Sequence, residues 1–182
     1  MIREALKNHY VENEDGFRYR GQEPGRLENF SDAVFALALT LLLISTSAPG
    51  NFQQVKRFVY EIIPFIMSIS VIILIWHQHF QFFLRYGFRT GRIVFLNTMF
   101  LVIVLFYVYP LKFLSRLILI PVGMLFDKQW LVDEMLKLIH PEDMNDLMII
   151  YGLGGASVFF VLALMYRSAL AAADQLELNE IE

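Results

Sequence analysis

No cysteine occurs among the 182 residues. That absence removes disulfide scaffolds, thiolate zinc sites and cysteine nucleophiles, and leaves the compartment open. Charge is scarce as well, at 18% of residues, against about 25% in an ordinary soluble domain. A basic excess is missing: the net charge is −3 and the pI is near 5.8, so nucleic-acid binding lacks its electrostatic footprint. Gly-x-Ser-x-Gly, His-Glu-x-x-His and phosphate-cradling glycine loops are all absent, which leaves an enzyme without a recognisable reaction centre. What the chain does have is apolar surface, with 57% hydrophobic residues and a mean hydropathy of +0.51. Disorder is excluded by these numbers, and a soluble fold of this size could hardly hide that much apolar area. Seventeen phenylalanines and eight tyrosines suit a chain that faces lipid and its interfaces. The expected fold class is all-α, a polytopic helical membrane protein.

About 20 apolar residues span the hydrocarbon, and four stretches qualify. They fall at about 27–47, 58–84, 93–118 and 147–170, within a membrane region of 27–172. Residues 1–26 are polar and lack the features of a secretory signal, so they read as a soluble tail; residues 173–182 form a short acidic tail. Residues 124–146 alternate charge with Trp130, Leu131, Met135 and Ile139, which suits an interfacial amphipathic helix better than a span. Lysine and arginine in the short flanks set orientation. With the N-terminus inside, nine fall on the inner side and six on the outer. Both termini are therefore expected in the cytoplasm.

Ionisable groups inside a span are expensive and need a reason. The clearest cluster opens the first span: Arg26, Glu28, Asn29, Ser31 and Asp32. In its plainest reading Asn29 or Ser31 caps the helix and Asp32 sits at the positive dipole end. A fuller reading makes the cluster part of a polar network. At 3.6 residues per turn, Phe30, Ala33, Leu37, Leu41 and Ile44 share one stripe with Thr40 at its edge. Asp32, Ala36, Leu39 and Leu43 fall across the helix from it. Asp32 is thus expected to face its own subunit, with partners among Arg26, His77, His79 and Asn97. His77 and His79 are two apart and lie on different faces, which argues against a two-histidine metal site. No metal motif is found. If His77 faces the interior, Ile75 faces lipid.

Arg26, Phe30, Ser31 and Asp32 fit the pattern R-x-x-x-F-S-D, followed by the apolar run AVFALALTLLLIS. This resembles the first helix of the lysosomal potassium-channel family (transmembrane protein one-seventy-five) and its prokaryotic single-repeat relatives. The Trp76–His77 pair and Asn97 are similar to that family too, and the resemblance covers roughly residues 24–115 well. It implies a leak-type, potassium-selective channel without a TVGYG filter loop, and this sequence has none. It also implies a homotetramer in a cell membrane, bundled around a central pore lined by the first helix. K+ is then the permeant ion, and no cofactor is needed. Carried over by position, the constriction would be Leu37, Leu41 and Ile44, with Thr40 as a polar ring. The structural network would hold Arg26, Phe30, Ser31, Asp32, His77 and Asn97. Family repeats have six spans where four are counted here. Either the sequence is truncated or divergent, or residues 111–126 supply a further short membrane element.

A secondary transporter and a membrane enzyme compete with a channel, and the stripe itself has a plainer reading. A Leu/Ile stripe on an arbitrary membrane helix is simply a packing seam. A proton-coupled secondary transporter could use Asp32 and His77 as a relay, although no inverted repeat or broken pair of spans is visible. The run Gly152-Leu-Gly154-Gly155-Ala156-Ser157 more simply permits close helix packing.

Overall fold

The computed structural model describes residues 19–44, 50–60, 62–125, 127, 140–176 and 178, and all its regular elements are helical. In chain order these are α1 (Arg26–Ile44), α2 (Phe52–Tyr60), α3 (Ile62–Tyr86), α4 (Gly91–Leu125), a single 3-10 turn (Pro141–Asp143), α5 (Met144–Leu170) and the short α6 (Ala173–Leu176). Among the described residues, four stretches are long and apolar enough to cross a membrane: α1, α3, Gly91–Val108 of α4, and α5. Long runs of Ile, Val and Phe are helical here because a backbone in hydrocarbon must satisfy its polar groups internally.

Local chemistry sets the ends. The carbonyl of Gly25 accepts the first helical bond, from the Asn29 amide at 3.0 Å, so α1 begins three residues before Asn29. Asn29 and Ser31 are therefore interior residues and not caps. Ser31 instead donates to the Leu27 carbonyl, 2.8 Å away. Glu28 is the acid of the first turn, where the dipole favours it. Pro64 sits in the first turn of α3, where its missing N–H is tolerated. Gly87 closes α3 in the left-handed region at φ +54°, its amide bonded to the Phe83 carbonyl at 2.8 Å.

Two element bounds differ from the sequence reading. Residues 58–60 do not open the second span; they end α2, a separate short helix. Residues 111–125 are no additional membrane element, because α4 continues through Pro110 for 35 residues, a length of about 52 Å. The amphipathic helix expected over 124–146 falls mostly outside the described residues. Its end is a 3-10 turn, after which α5 starts at Met144.

Phe35, Ala38 and Leu42 of α1, Ile72 and Phe82 of α3, Phe100 and Val104 of α4, and Val158 and Met165 of α5 form one continuous core. The α4–α5 pair is further locked by tyrosines. Tyr151 Oη donates to the Pro110 carbonyl at 2.6 Å, and Tyr107 Oη donates to the Tyr151 carbonyl at 3.3 Å. Ser68 of α3 and Ser115 of α4 share a buried hydrogen bond of 2.8 Å.

Candidate pore face and polar network

Helix α1 has three faces, and each has a different fate. Glu28, Ser31, Phe35, Ala38 and Leu42 are buried against the subunit; their three- and four-residue spacing defines one side of a helix. The Leu/Ile stripe lies roughly 135° round from the centre of that side. It is bare: Leu37 is 50% exposed, Leu41 42% and Ile44 70%. Phe30, Ala33 and Thr40 are exposed beside them. The third face carries Asp32, Ala36 and Leu43, all exposed, with Leu39 half-buried.

Thr40 Oγ1 donates to the Ala36 carbonyl at 2.9 Å. A hydroxyl has one hydrogen and two lone pairs. With its hydrogen committed to the helix, Thr40 presents only acceptor lone pairs to its surroundings.

Where the three central helices meet, a polar relay crosses the core. His79 Nε2 lies 2.6 Å from Asn97 Oδ1, and Asn97 Nδ2 donates to Ser31 Oγ at 2.9 Å. Since Oδ1 is only an acceptor, Nε2 must carry the hydrogen. Ser31 passes the chain on to the Leu27 carbonyl. Asn97 and Ser31 are fully buried and His79 is 2% exposed. The imidazole is boxed by the rings of Phe35, Phe83 and Phe100, with centroids 5.7, 4.9 and 5.2 Å away. Every bond in the relay joins a donor to an acceptor, which is what a buried polar chain needs to hold its helices in one arrangement.

Of the six residues expected in one network, the structure brings together Ser31 and Asn97. His77 does not join them. It is exposed and stacks on Phe80 at 6.5 Å, while His79, 200° round the helix, takes the inward position. Ile75 is buried, at 7% exposure, so the inference that it faces lipid fails with the placement of His77. Phe30 stands on the exposed stripe, and Arg26 is exposed at the first helical position. Asp32 accepts its hydrogen bond from Trp76 Nε1 at 2.8 Å, outside the buried relay. A proton relay through Asp32 and His77 therefore has no support in this geometry.

An ion pair that the sequence reading left unassigned sits nearby. Arg89 Nε donates to Glu28 Oε1 at 2.8 Å, and its Nη2 reaches the Glu23 carbonyl at 3.0 Å. This pair ties the loop between α3 and α4 to the start of α1. The Gly21 and Arg20 amides donate to the carbonyls of Leu84 and Arg85 at 3.0 and 3.3 Å, satisfying groups that the end of α3 leaves open. Among the described residues, no group of three His, Asp or Glu is placed to hold a metal ion.

A family model described as the endosomal/lysosomal potassium channel TMEM175 matches residues 26–107. A potassium channel of Marivirga tractuosa is 40% identical over 169 residues, covering 91% of this chain and 67% of that relative. A potassium channel of Streptomyces collinus is 33% identical over 101 residues, and the match covers 52% of this chain and 48% of that one. A crystal structure of a variant of the potassium channel MtTMEM175, bound to a nanobody–MBP fusion, superimposes with a TM-score of 0.81 at 37% identity. That superposition covers 94% of this chain and 74% of the other.

Proposed function

This chain belongs to the TMEM175 family of potassium channels, and from that premise we propose that its α1 lines a K+ pathway constricted by Leu37, Leu41 and Ile44. The observation that carries the reading is the bare stripe. Three large aliphatic side chains recur at helical spacing and stay 42–70% exposed, while the same helix packs its subunit with a different face. Copies arranged about an axis would bring the stripes together as stacked apolar rings roughly 4.5–6 Å apart. Such a passage offers ion-bound water no acceptor and can close by dewetting. Thr40, at the edge of the stripe with its lone pairs free, supplies the one side-chain oxygen there. In a tight passage K+ gives up water more readily than Na+, and an oxygen ring helps compensate it.

The assembly is a homotetramer in a cell membrane, with the N-terminus in the cytoplasm. Topology supports that orientation. The amides of residues 20 and 21 bond the end of α3, so Arg20, Arg26, Arg85, Arg89 and Arg92 gather at one end of the bundle, as the positive-inside rule requires.

Leu37→Ala in liposomes tests the pore assignment, with Leu74→Ala as control. Leu74 is 63% exposed on α3 and takes no part in the stripe. Truncating Leu37 should widen and wet the constriction, raising K+ flux and admitting more Na+, while Leu74→Ala leaves both unchanged. Equal behaviour of the two variants would make the stripe a lipid-facing surface. Crosslinking of the native protein that stops at a species other than the tetramer would refute the stoichiometry.

A further inference from the structure

Among the described residues, none of helix α2 belongs to the buried core, and its construction calls for an explanation. The Gln54 amide bonds Asn51 Oδ1 at 2.9 Å, and Gln54 Oε1 accepts from the Gly50 amide at 2.6 Å. This reciprocal capping starts a helix at a defined residue. Only nine residues follow, too few for an isolated helix to persist in water.

At 100° per residue, Phe52, Val55, Phe58 and Val59 occupy one arc of about 120°. All four are exposed, Phe52 at 72% and Val59 at 59%. Gln53, Gln54, Lys56 and Arg57 occupy the register positions outside that arc. An apolar face this complete on a helix of low average hydrophobicity is the pattern of a segment lying in an interface plane. Connectivity supplies the interface. Helix α2 leads into α3 at Ile62 and follows α1 after seven residues, so it sits where two membrane spans reach the surface.

We propose that α2 is an interfacial anchor: Phe52, Val55, Phe58 and Val59 seat in the boundary between headgroups and acyl chains, and Lys56 with Arg57 recruits anionic phospholipid. The bilayer is the occupant favoured by position, because the apolar arc belongs to a segment held at the membrane surface at both ends. Lys56 and Arg57 bring two positive charges to the same short segment, and each Lys or Arg near a phosphate-bearing surface adds attraction.

The missing cysteines make the test clean. A nitroxide label on Val55→Cys, in full-length protein in phosphatidylcholine vesicles, should collide with oxygen more than with a water-soluble nickel complex. Gln53→Cys, 160° away on the helix, should show the reverse. Adding phosphatidylglycerol should move the Val55 label deeper, and that shift should vanish in the K56Q/R57Q background. Val59→Cys, 40° from Val55 on the same arc, repeats the measurement if the first variant fails to assemble. A label shielded from both reagents would place the arc against a neighbouring protein copy, and a label open to nickel would place it in water. Either result overturns the proposal, and a depth indifferent to phosphatidylglycerol overturns its anionic-lipid part. None of these outcomes depends on whether α1 lines the pore.

Discussion

Asn97→Leu probes the relay most directly. It removes the acceptor for His79 Nε2 and the donor to Ser31 Oγ, in a residue with no exposed surface. Ser31 keeps its bond to the Leu27 carbonyl, so the main damage falls on the imidazole N–H. Leaving a buried donor unmade costs about 1–3 kcal/mol. Interhelical bonds in membrane proteins average about 0.6 kcal/mol and reach about 1.7 kcal/mol in double-mutant cycles. The aromatic walls around His79 leave little room for a substituting water, which places this case at the upper end. His79→Phe alone orphans Asn97 Oδ1 instead, while a phenyl ring suits a box of Phe35, Phe83 and Phe100. The double variant removes both polar ends at once. It should therefore be less destabilised than the sum of the singles by about 1–1.7 kcal/mol. Unfolding in mixed micelles by titrated SDS, followed by circular dichroism for all four proteins, measures the coupling. Additivity within about 0.3 kcal/mol would show that the bond contributes nothing and that the relay is incidental.

Three further outcomes are expected. A Cβ on Gly154 would lie 2.5 Å from the Tyr107 ring, whereas Gly152 faces open space; Gly154→Ala should lower stability by about 1–3 kcal/mol and Gly152→Ala should not, as read by thermal loss of monodisperse protein. A Cβ on Gly21 would overlap the Phe83 carbonyl oxygen, so Gly21→Ala should detach the segment before α1 from the end of α3 and speed proteolysis there; an unchanged digestion rate would count against the strap. Thr40→Ala should reduce K+ over Na+ discrimination and Thr40→Ser should restore it, judged by reversal potentials under bi-ionic conditions, because only the hydroxyl oxygen is at stake.

The four membrane spans were legible because hydrocarbon imposes length and hydropathy on each crossing, and both are linear properties of sequence. Helix α2 was hidden by the same reasoning. Phe58, Val59 and Tyr60 look continuous with the apolar run after Ile62; what the sequence does mark is the start of α2, where Asn51 and Gln54 form a cap. That cap was readable as Asn three residues before Gln. The start of α1 was less accessible. Asn29 and Ser31 are good caps by type, but Gly25 holds the position, with Arg89 folded so close that a Cβ there would lie 2.5 Å from its guanidinium carbon. That packing is tertiary and leaves no local signal.

The choice between His77 and His79 shows why the site was only partly readable. Both lie near the end of α3, and helical geometry separates their faces without saying which face points inward. The deciding information is aromatic. Phe83 follows His79 at i+4 and its ring lies 4.9 Å away, and Phe82, Phe83 and Tyr86 are all buried. Once the inward face is the one carrying Phe82, Phe83 and Tyr86, His79 is the only histidine of the two that it can include. Ser31 follows by the same logic. It shares the buried side of α1 with Phe35 and Ala38, so its hydroxyl meets Asn97, while Asp32 one residue on is turned about 100° toward Trp76. The exposed Leu37, Leu41 and Ile44 are the remainder of that accounting. A helix whose polar start is used inside its own subunit has its apolar stripe left over for a surface the monomer does not supply.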